Sequence, residues 1–181
     1  CLLTLTSYDP AGLQRTARLL NGCLDGNADL ARLFFGIFHE GLFISPADGW
    51  RGAHPREWIR QPDYDWLRAT DELTGGRIRI VNVAPEEPGG LEFIDRARAD
   101  GKIVALGHCC PAAEVVHEAA ARGATLVTHF GNGAAPMIHR FRNPFWPFLD
   151  DPRLRLGLIG DGFHLPAELV RHTVRTIRSC C

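Results

Sequence analysis

Residues 102–133, KIVALGHCCPAAEVVHEAAARGATLVTHFGNG, constrain the fold more than any other part of the chain. Two four-residue apolar runs, 103–106 and 124–127, each lead into a histidine, His108 and His129. Between them, residues 112–122 have the length and composition of a helix and stop at Gly123. A strand, a helix and a second strand at this spacing predict a βαβ unit with a parallel pair. Each histidine then stands at the carboxyl end of its strand, where ligands and chemistry collect in parallel α/β proteins. Two imidazoles on adjacent strand ends can reach one metal ion. Spacing alone accommodates equally well two unrelated loop histidines.

The same alternation extends through the chain. Residues 2–6 form a β-prone run closed by Asp9-Pro10, and 11–24 carry apolar residues at helical spacing. Residues 33–44 (LFFGIFHEGLFI) are apolar nearly throughout, as expected of a strand covered on both faces. A carboxylate at Glu40 within that run costs several kcal/mol unless it is paired or metal-bound, so Glu40 is either a functional group at a strand end or exposed in the following loop. Residues 45–62 are rich in Pro, Gly and charge and predict a long loop at the rim of the fold. A helix over 64–73, a strand over 77–83 and a helix over 91–99 follow. After residue 133 comes an irregular stretch with four prolines, then a strand over 155–159 and a helix over 166–178 that tolerates Pro166 near its start.

Six βα repeats with polar residues at the strand ends suit an open doubly wound sheet or part of a (β/α)8 barrel. No GxGxxG or GxxxxGK[ST] follows any of the predicted strands, which disfavours a nucleotide-binding sheet. Of the 181 residues, 45% are hydrophobic and 23% charged, the balance of a soluble globular protein. A net charge of -1 gives no electrostatic case for nucleic acid or an acidic membrane. No apolar run approaches the roughly 20 residues that span a bilayer. The six cysteines, at 1, 23, 109, 110, 180 and 181, show no CxxC spacing and fit a reducing, cytoplasmic compartment better than a disulfide framework. With Cys1 first and Met137 the only methionine, the chain is expected to be part of a longer translated product.

Seven short motifs fall in the order and spacing of one family. They are Gly36-Ile37-Phe38-His39-Glu40-Gly41, Gly52-Ala53-His54, Ala84-Pro85-Glu86, Gly107-His108, Thr128-His129, Asn132, and Asp161-Gly162-Phe163-His164. In this the chain resembles the N-acetylglucosamine-6-phosphate deacetylases of the amidohydrolase superfamily, and a divergent branch of them in its 129–133 and 161–166 motifs. The resemblance implies an α/β fold, a partial (β/α)8 TIM barrel of the metal-dependent amidohydrolase type spanning residues 1–181. The family's first and eighth strands and its flanking β-sandwich have no counterpart in these residues.

The resemblance also implies roles. Glu40, His108 and His129 match the protein ligands of the family's catalytic metal, expected to be one Zn²⁺ or similar divalent ion. Ala53 and His54 match positions that touch the sugar, and Asn132, Gly133 and Arg140 match the set receiving phosphate and sugar oxygens. A guanidinium suits a phosphate chemically, although Arg140 can also be read as a solvated loop arginine. His164 matches the histidine that holds and polarises the acetamide carbonyl. The implied reaction is metal-assisted hydrolysis of N-acetylglucosamine 6-phosphate to glucosamine 6-phosphate and acetate.

The family's general-base aspartate is expected beyond Cys181, so the chain by itself is expected to bind metal and turn over little or nothing. The substrate partner is a small phosphorylated amino sugar, and the intact protein is expected to be a homo-oligomer without nucleic-acid or membrane partners. Two other readings stay open: a related amidohydrolase acting on another N-acyl or cyclic amide, and a non-catalytic metal-binding segment. Inside the match, Phe38 stands where the family has a histidine, Leu42 where it has a proline, Cys109-Cys110-Pro111 where it has a small polar stretch, and Gly131 where it has a bulkier residue. Adjacent cysteines on an extended chain point to opposite sides, so Cys109 and Cys110 cannot easily share one ion. His117 and His172 match no motif and read as surface residues.

Overall fold

The computed structural model describes residues 1–178, with side chains through residue 175. The Cys180–Cys181 pair therefore lies outside the described residues. In chain order the elements are β1 (Leu2–Leu5), α1 (Pro10–Asp25), α2 (Ala28–Leu33), β2 (Gly36–His39), a 3-10 turn (Arg56–Trp58), α3 (Tyr64–Leu73), β3 (Ile78–Val83), α4 (Gly90–Ala99), β4 (Ile103–Leu106), α5 (Ala113–Arg122), β5 (Ala124–Val127), α6 (Phe145–Asp150), β6 (Arg155–Leu156) and α7 (Ala167–Arg178).

The strands form one six-stranded sheet in the order β1-β2-β3-β4-β5-β6, with every neighbouring pair parallel. This decides between the two architectures the repeats allowed. A doubly wound sheet reverses its strand order at a switch point, whereas strands that succeed one another in sequence order, joined by crossovers of one hand, wind like a barrel wall. The order never reverses, so the sheet is an arc of a barrel. Ile37, Val81, Val104 and Leu106 of the sheet pack with Leu67, Phe93, Ile94 and Val116 of the helices in one buried core. No helix among the described residues is long and apolar enough to cross a membrane.

Local chemistry accounts for the element boundaries. Asp9 caps α1, its carboxylate accepting from the amides of Ala11 and Gly12, with Pro10 in the first turn where no N–H is required. The expected strand over 33–44 is much shorter than its apolar run. Asn27 caps a short helix that uses residues 28–33, and Gly41 (φ 103°) and Leu42 (φ 59°) end the extended path after His39. Leu42, Phe43 and Ile44 stay fully buried, but as a loop. Apolar character reported burial there, not strand.

The irregular stretch after residue 133 contains the short helix α6, in which Pro147 occupies the first turn and loses no hydrogen bond. β6 keeps two residues of the expected five. His117 is not a free surface residue: its Nδ1 donates to Asp151 Oδ2 at 2.9 Å, tying α5 to the segment after α6. The paired Arg153 guanidinium holds the Asp151 carboxyl well below the usual carboxylate range.

Candidate metal centre

The carboxyl ends of β2, β4 and β5 each deliver one polar side chain to the same point. Glu40 directly follows β2, His108 lies two residues beyond β4, and His129 two residues beyond β5. Glu40 Oε1 lies 3.1 Å from His108 Nε2 and 2.8 Å from His129 Nε2, and the two ring nitrogens are 3.0 Å apart. A third imidazole closes on the group: His54 Nε2 is 3.3 Å from His108 Nε2, and these rings meet edge to face at 4.5 Å. Glu40, His54 and His108 alone place their ligand atoms within 4.8 Å of one another, and the His129 distances add the fourth member.

Both strand-end histidines hold left-handed backbone conformations, φ 52° at His108 and φ 31° at His129. Such conformations in non-glycine residues cost on the order of 1–3 kcal/mol each and persist only where surroundings enforce them. The enforcement is visible around His108. Its Nδ1 donates to the carbonyl of Trp50 at 3.0 Å, and its own carbonyl accepts from Ser45 N at 2.9 Å. Gly133, at φ 58°, lies flat against the ring, and a Cβ there would sit 2.5 Å from Nδ1.

The Trp50 bond fixes the chemistry of the group. With Nδ1 donating, a neutral His108 ring carries a lone pair on Nε2. That lone pair faces the Glu40 oxygen at 3.1 Å, lone pair against lone pair, an approach that requires a cation between or beside them. A proton on a ring or a metal ion can supply it. The three edges, 2.8, 3.0 and 3.1 Å, are slightly shorter than the about 3.3 Å edge implied by tetrahedral zinc with bonds of about 2.0–2.1 Å. Small side-chain rotations would open them. His129 Nδ1 is buried and has no hydrogen-bond partner, so nothing commits that ring's proton elsewhere. One carboxylate and two to three imidazoles, with one ring locked in its metal-ready tautomer by a backbone carbonyl, fit a divalent ion.

Burial raises the Glu40 pKa, but the His108 and His129 imidazoles, wherever a ring carries the proton that a hydrogen bond to Glu40 needs, outweigh it and hold the carboxyl well below the usual range. His54 moves down to about 4, first through burial and then through repulsion by His108. Both shifts favour ligand-ready, deprotonated forms at neutral pH.

The other expected site residues are distributed around this group. Asn132 Nδ2 donates to the His129 carbonyl at 3.3 Å, and Gly133 packs on His108 as described. Ala53 is exposed beside buried His54. Arg140 is exposed on the 134–144 loop, its guanidinium over the Phe141 ring at 5.6 Å, and it makes no ion pair among the described residues. His164 is exposed beyond β6, where its Nδ1 donates to Asp161 Oδ2 at 2.7 Å. Neither Arg140 nor His164 has a contact with the Glu40 group. Cys109 is buried and Cys110 exposed, on opposite sides as their adjacency predicts, and neither joins the group. A cleft of about 990 Å³, lined by Cys110, Pro111, Glu114, His117, Phe141 and Trp146 among others, includes none of Glu40, His54, His108 and His129 in its wall.

Two contributors left no signal in the sequence. The Trp50 carbonyl has no side-chain signature, and Asn82, buried beneath the histidines, reads as an ordinary strand residue. His54 and Thr128 belong to the motifs, but the packing of the His54 ring on His108 and the Thr128 bond to Asn82 do not follow from them.

No family model matches the chain. It is 35% identical over 129 residues to the N-acetylglucosamine-6-phosphate deacetylase of Bacillus subtilis (strain 168), covering 71% of this chain and 32% of that protein. It is 31% identical over 135 residues to the N-acetylgalactosamine-6-phosphate deacetylase of Escherichia coli O157:H7, covering 74% and 35%. In fold it superposes on an N-acetyl-D-glucosamine-6-phosphate deacetylase mutant from Mycobacterium smegmatis, solved in complex with N-acetyl-D-glucosamine-6-phosphate. The TM-score is 0.85 at 28% identity, over 97% of this chain and 44% of that one. The chain thus spans about a third of the length of the curated relatives it matches. Its strand arc is part of a TIM barrel of the amidohydrolase type, and the chain belongs to the N-acetylglucosamine-6-phosphate deacetylase family.

Proposed function

We propose that this chain supplies the metal-binding part of a hydrolase that removes the acetyl group from N-acetylglucosamine 6-phosphate, giving glucosamine 6-phosphate and acetate. The observation that carries the proposal is the convergence of Glu40, His108 and His129 within 3.1 Å of one another at the carboxyl ends of three neighbouring strands. In this reading they hold one divalent ion, with zinc the best match to a carboxylate–imidazole set. When bound, such an ion lowers the pKa of a water toward about 7 and polarises an acyl oxygen.

The remaining roles fall to this chain's own side chains. Asp161 orients His164 by accepting from its Nδ1, which leaves Nε2 as the nitrogen that can hold the acetamide oxygen. His54 and Ala53 border the ion on the sugar side, while Asn132, Gly133 and Arg140 receive sugar and phosphate oxygens. Arg140 carries a charge uncommitted to any carboxylate, which suits capture of a dianion. Asp161 is a poor proton acceptor: the amides of Phe163 and His164 and then the His164 ring pull its carboxyl down to about 2.

The N-acetylgalactosamine-6-phosphate relative keeps the C4 epimer of the sugar as a second substrate reading. Calorimetric titration of the chain with zinc should give about one ion per chain, with uptake lost in His129→Ala. The zinc-loaded chain should then bind N-acetylglucosamine 6-phosphate in preference to unphosphorylated N-acetylglucosamine. Zinc uptake unchanged by His129→Ala rejects the metal centre, and equal affinity for the two sugars rejects the phosphate. Tighter binding of the galactosamine epimer moves the substrate assignment to that sugar.

A further inference from the structure

Directly beneath the two strand-end histidines lies a buried polar tie that none of the roles above uses. Asn82, on β3, is fully buried, and its Nδ2 donates to the carbonyl of Gly107 at 3.0 Å. Its Oδ1 accepts from the Thr128 hydroxyl at 2.6 Å. The orientation of the amide is not arbitrary. A carbonyl can only accept, so the nitrogen must face Gly107, and the oxygen then requires the hydroxyl to donate.

Gly107 is the residue before His108, and Thr128 is the residue before His129. One side chain therefore grips the backbone of one ligand's segment and the side chain immediately preceding the other ligand. Thr128 is itself fixed by its amide, which donates to the Leu106 carbonyl at 2.8 Å. The space is filled: a Cβ added at Gly107 would lie 2.6 Å from Thr128 Cβ and 2.7 Å from Asn82 Oδ1. The tie sits where both chains turn into the left-handed conformations of His108 and His129, which need an outside constraint to persist.

We propose that Asn82 is a positioning residue for the metal centre, which sets the separation and aim of His108 and His129 by bracing Gly107 against Thr128. This rests on the metal-centre reading above. Asn82 touches neither ion nor substrate; it acts through the two histidine-bearing segments. Loss of the amide would leave the Thr128 hydroxyl and the Gly107 carbonyl without their partner and free the two turns to relax independently.

The test measures zinc affinity of the full chain by competition with a chromophoric chelator, together with the visible absorption of the cobalt-loaded protein. Asn82→Ala is expected to bind zinc about 10- to 100-fold more weakly, the range typical of lost supporting hydrogen bonds, and to shift the cobalt bands. Thr128→Val removes only the hydroxyl and should weaken zinc about 10-fold, whereas Thr128→Ser should restore affinity to within about threefold of the wild type. The double variant Asn82→Ala/Thr128→Val should be no weaker than Asn82→Ala, because both act through one tie.

Wild-type zinc binding with unchanged affinity and cobalt spectrum in folded Asn82→Ala overturns this proposal alone, whatever happens to its melting temperature. If Asn82→Ala does not fold, Thr128→Val decides on the same criteria. A wild-type chain that takes up no zinc overturns the metal-centre reading, and this proposal with it.

Discussion

Two carboxylates of similar burial occupy opposite ends of the same sheet. Asp71, near the end of α3, and Glu40, just past β2, have side chains only 11% and 13% exposed. Each oxygen of Asp71 has a donor. Oδ1 accepts from Ile78 N at 2.7 Å and from Thr74 Oγ1 at 2.9 Å, while Oδ2 pairs with Lys102 Nζ, which also donates to the Ile78 carbonyl. Around Glu40 the neighbours are imidazole nitrogens, at least one of which presents a lone pair. The amino end of the sheet is thus a closed set of donors and acceptors that joins α3, β3 and the entry to β4. The carboxyl end instead gathers a carboxylate and three imidazoles, an acceptor-rich set that suits a cation. A satisfied buried carboxylate stabilises; a buried carboxylate among competing acceptors marks a place for a ligand.

Opposite substitutions should break this contrast most sharply. Asp71→Ala leaves the Lys102 ammonium and the Ile78 amide buried without a partner, and should cost about 3–5 kcal/mol in urea unfolding of the metal-free chain. His129→Ala should abolish zinc uptake yet leave metal-free stability unchanged or raised, because it removes one of the competing groups. A large stability loss in His129→Ala without metal would show that the two ends are built alike.

His39 sharpens the comparison within a single strand. Its ring lies among Phe43 and Trp66, fully buried, with neither nitrogen hydrogen-bonded, and burial lowers its pKa to about 4. Because the folded value lies below the unfolded value of about 6.5, the unfolded chain binds the extra proton first as pH falls. The neutral-ring stability is fully present above about 6.5 and is lost as pH drops through about 4. Between pH 7 and 4 the wild type should lose on the order of 3 kcal/mol more than His39→Leu, measured by urea unfolding at each pH. Parallel curves for the two proteins would reject a neutral, unpaired His39.

The smallest effect is expected at the surface. Arg122 pairs with Glu118 and Asp95 on the outer helices, all three side chains partly exposed to water. Arg122→Ala should leave both the urea midpoint and zinc affinity unchanged within error, since exposed pairs are screened and entropically costly. A clear shift in either would make these outer charges part of the contrast between the two ends.

The repeating βα pattern and the residues that close it were legible because they depend on local chemistry. The βαβ unit over 103–127 and the helix over 64–73 follow from periodicity, glycine stops and run lengths. Where the pattern misled, tertiary burial had imitated a strand signal. The 42–44 loop is as apolar as a core strand because the sheet and α3 cover it, and the backbone at Gly41 and Leu42 turns away regardless. The α6 helix went unseen because Pro147 reads as a breaker until its first-turn position is known.

The sequence by itself determined which groups stand at the strand ends. A histidine placed two residues after a buried run must emerge at the rim of a parallel sheet, so His108 and His129 are properties of spacing, whereas Glu40 lies inside an apolar run that hid where its strand ends. Only the tertiary structure decided that they meet, that His54 joins them, and that Trp50 and Asn82 hold them. Those contacts join residues 21 to 89 positions apart, through backbone carbonyls, amide orientation and positive φ. None of these leaves a trace in residue type or period, because each arises only when separate strands lie side by side.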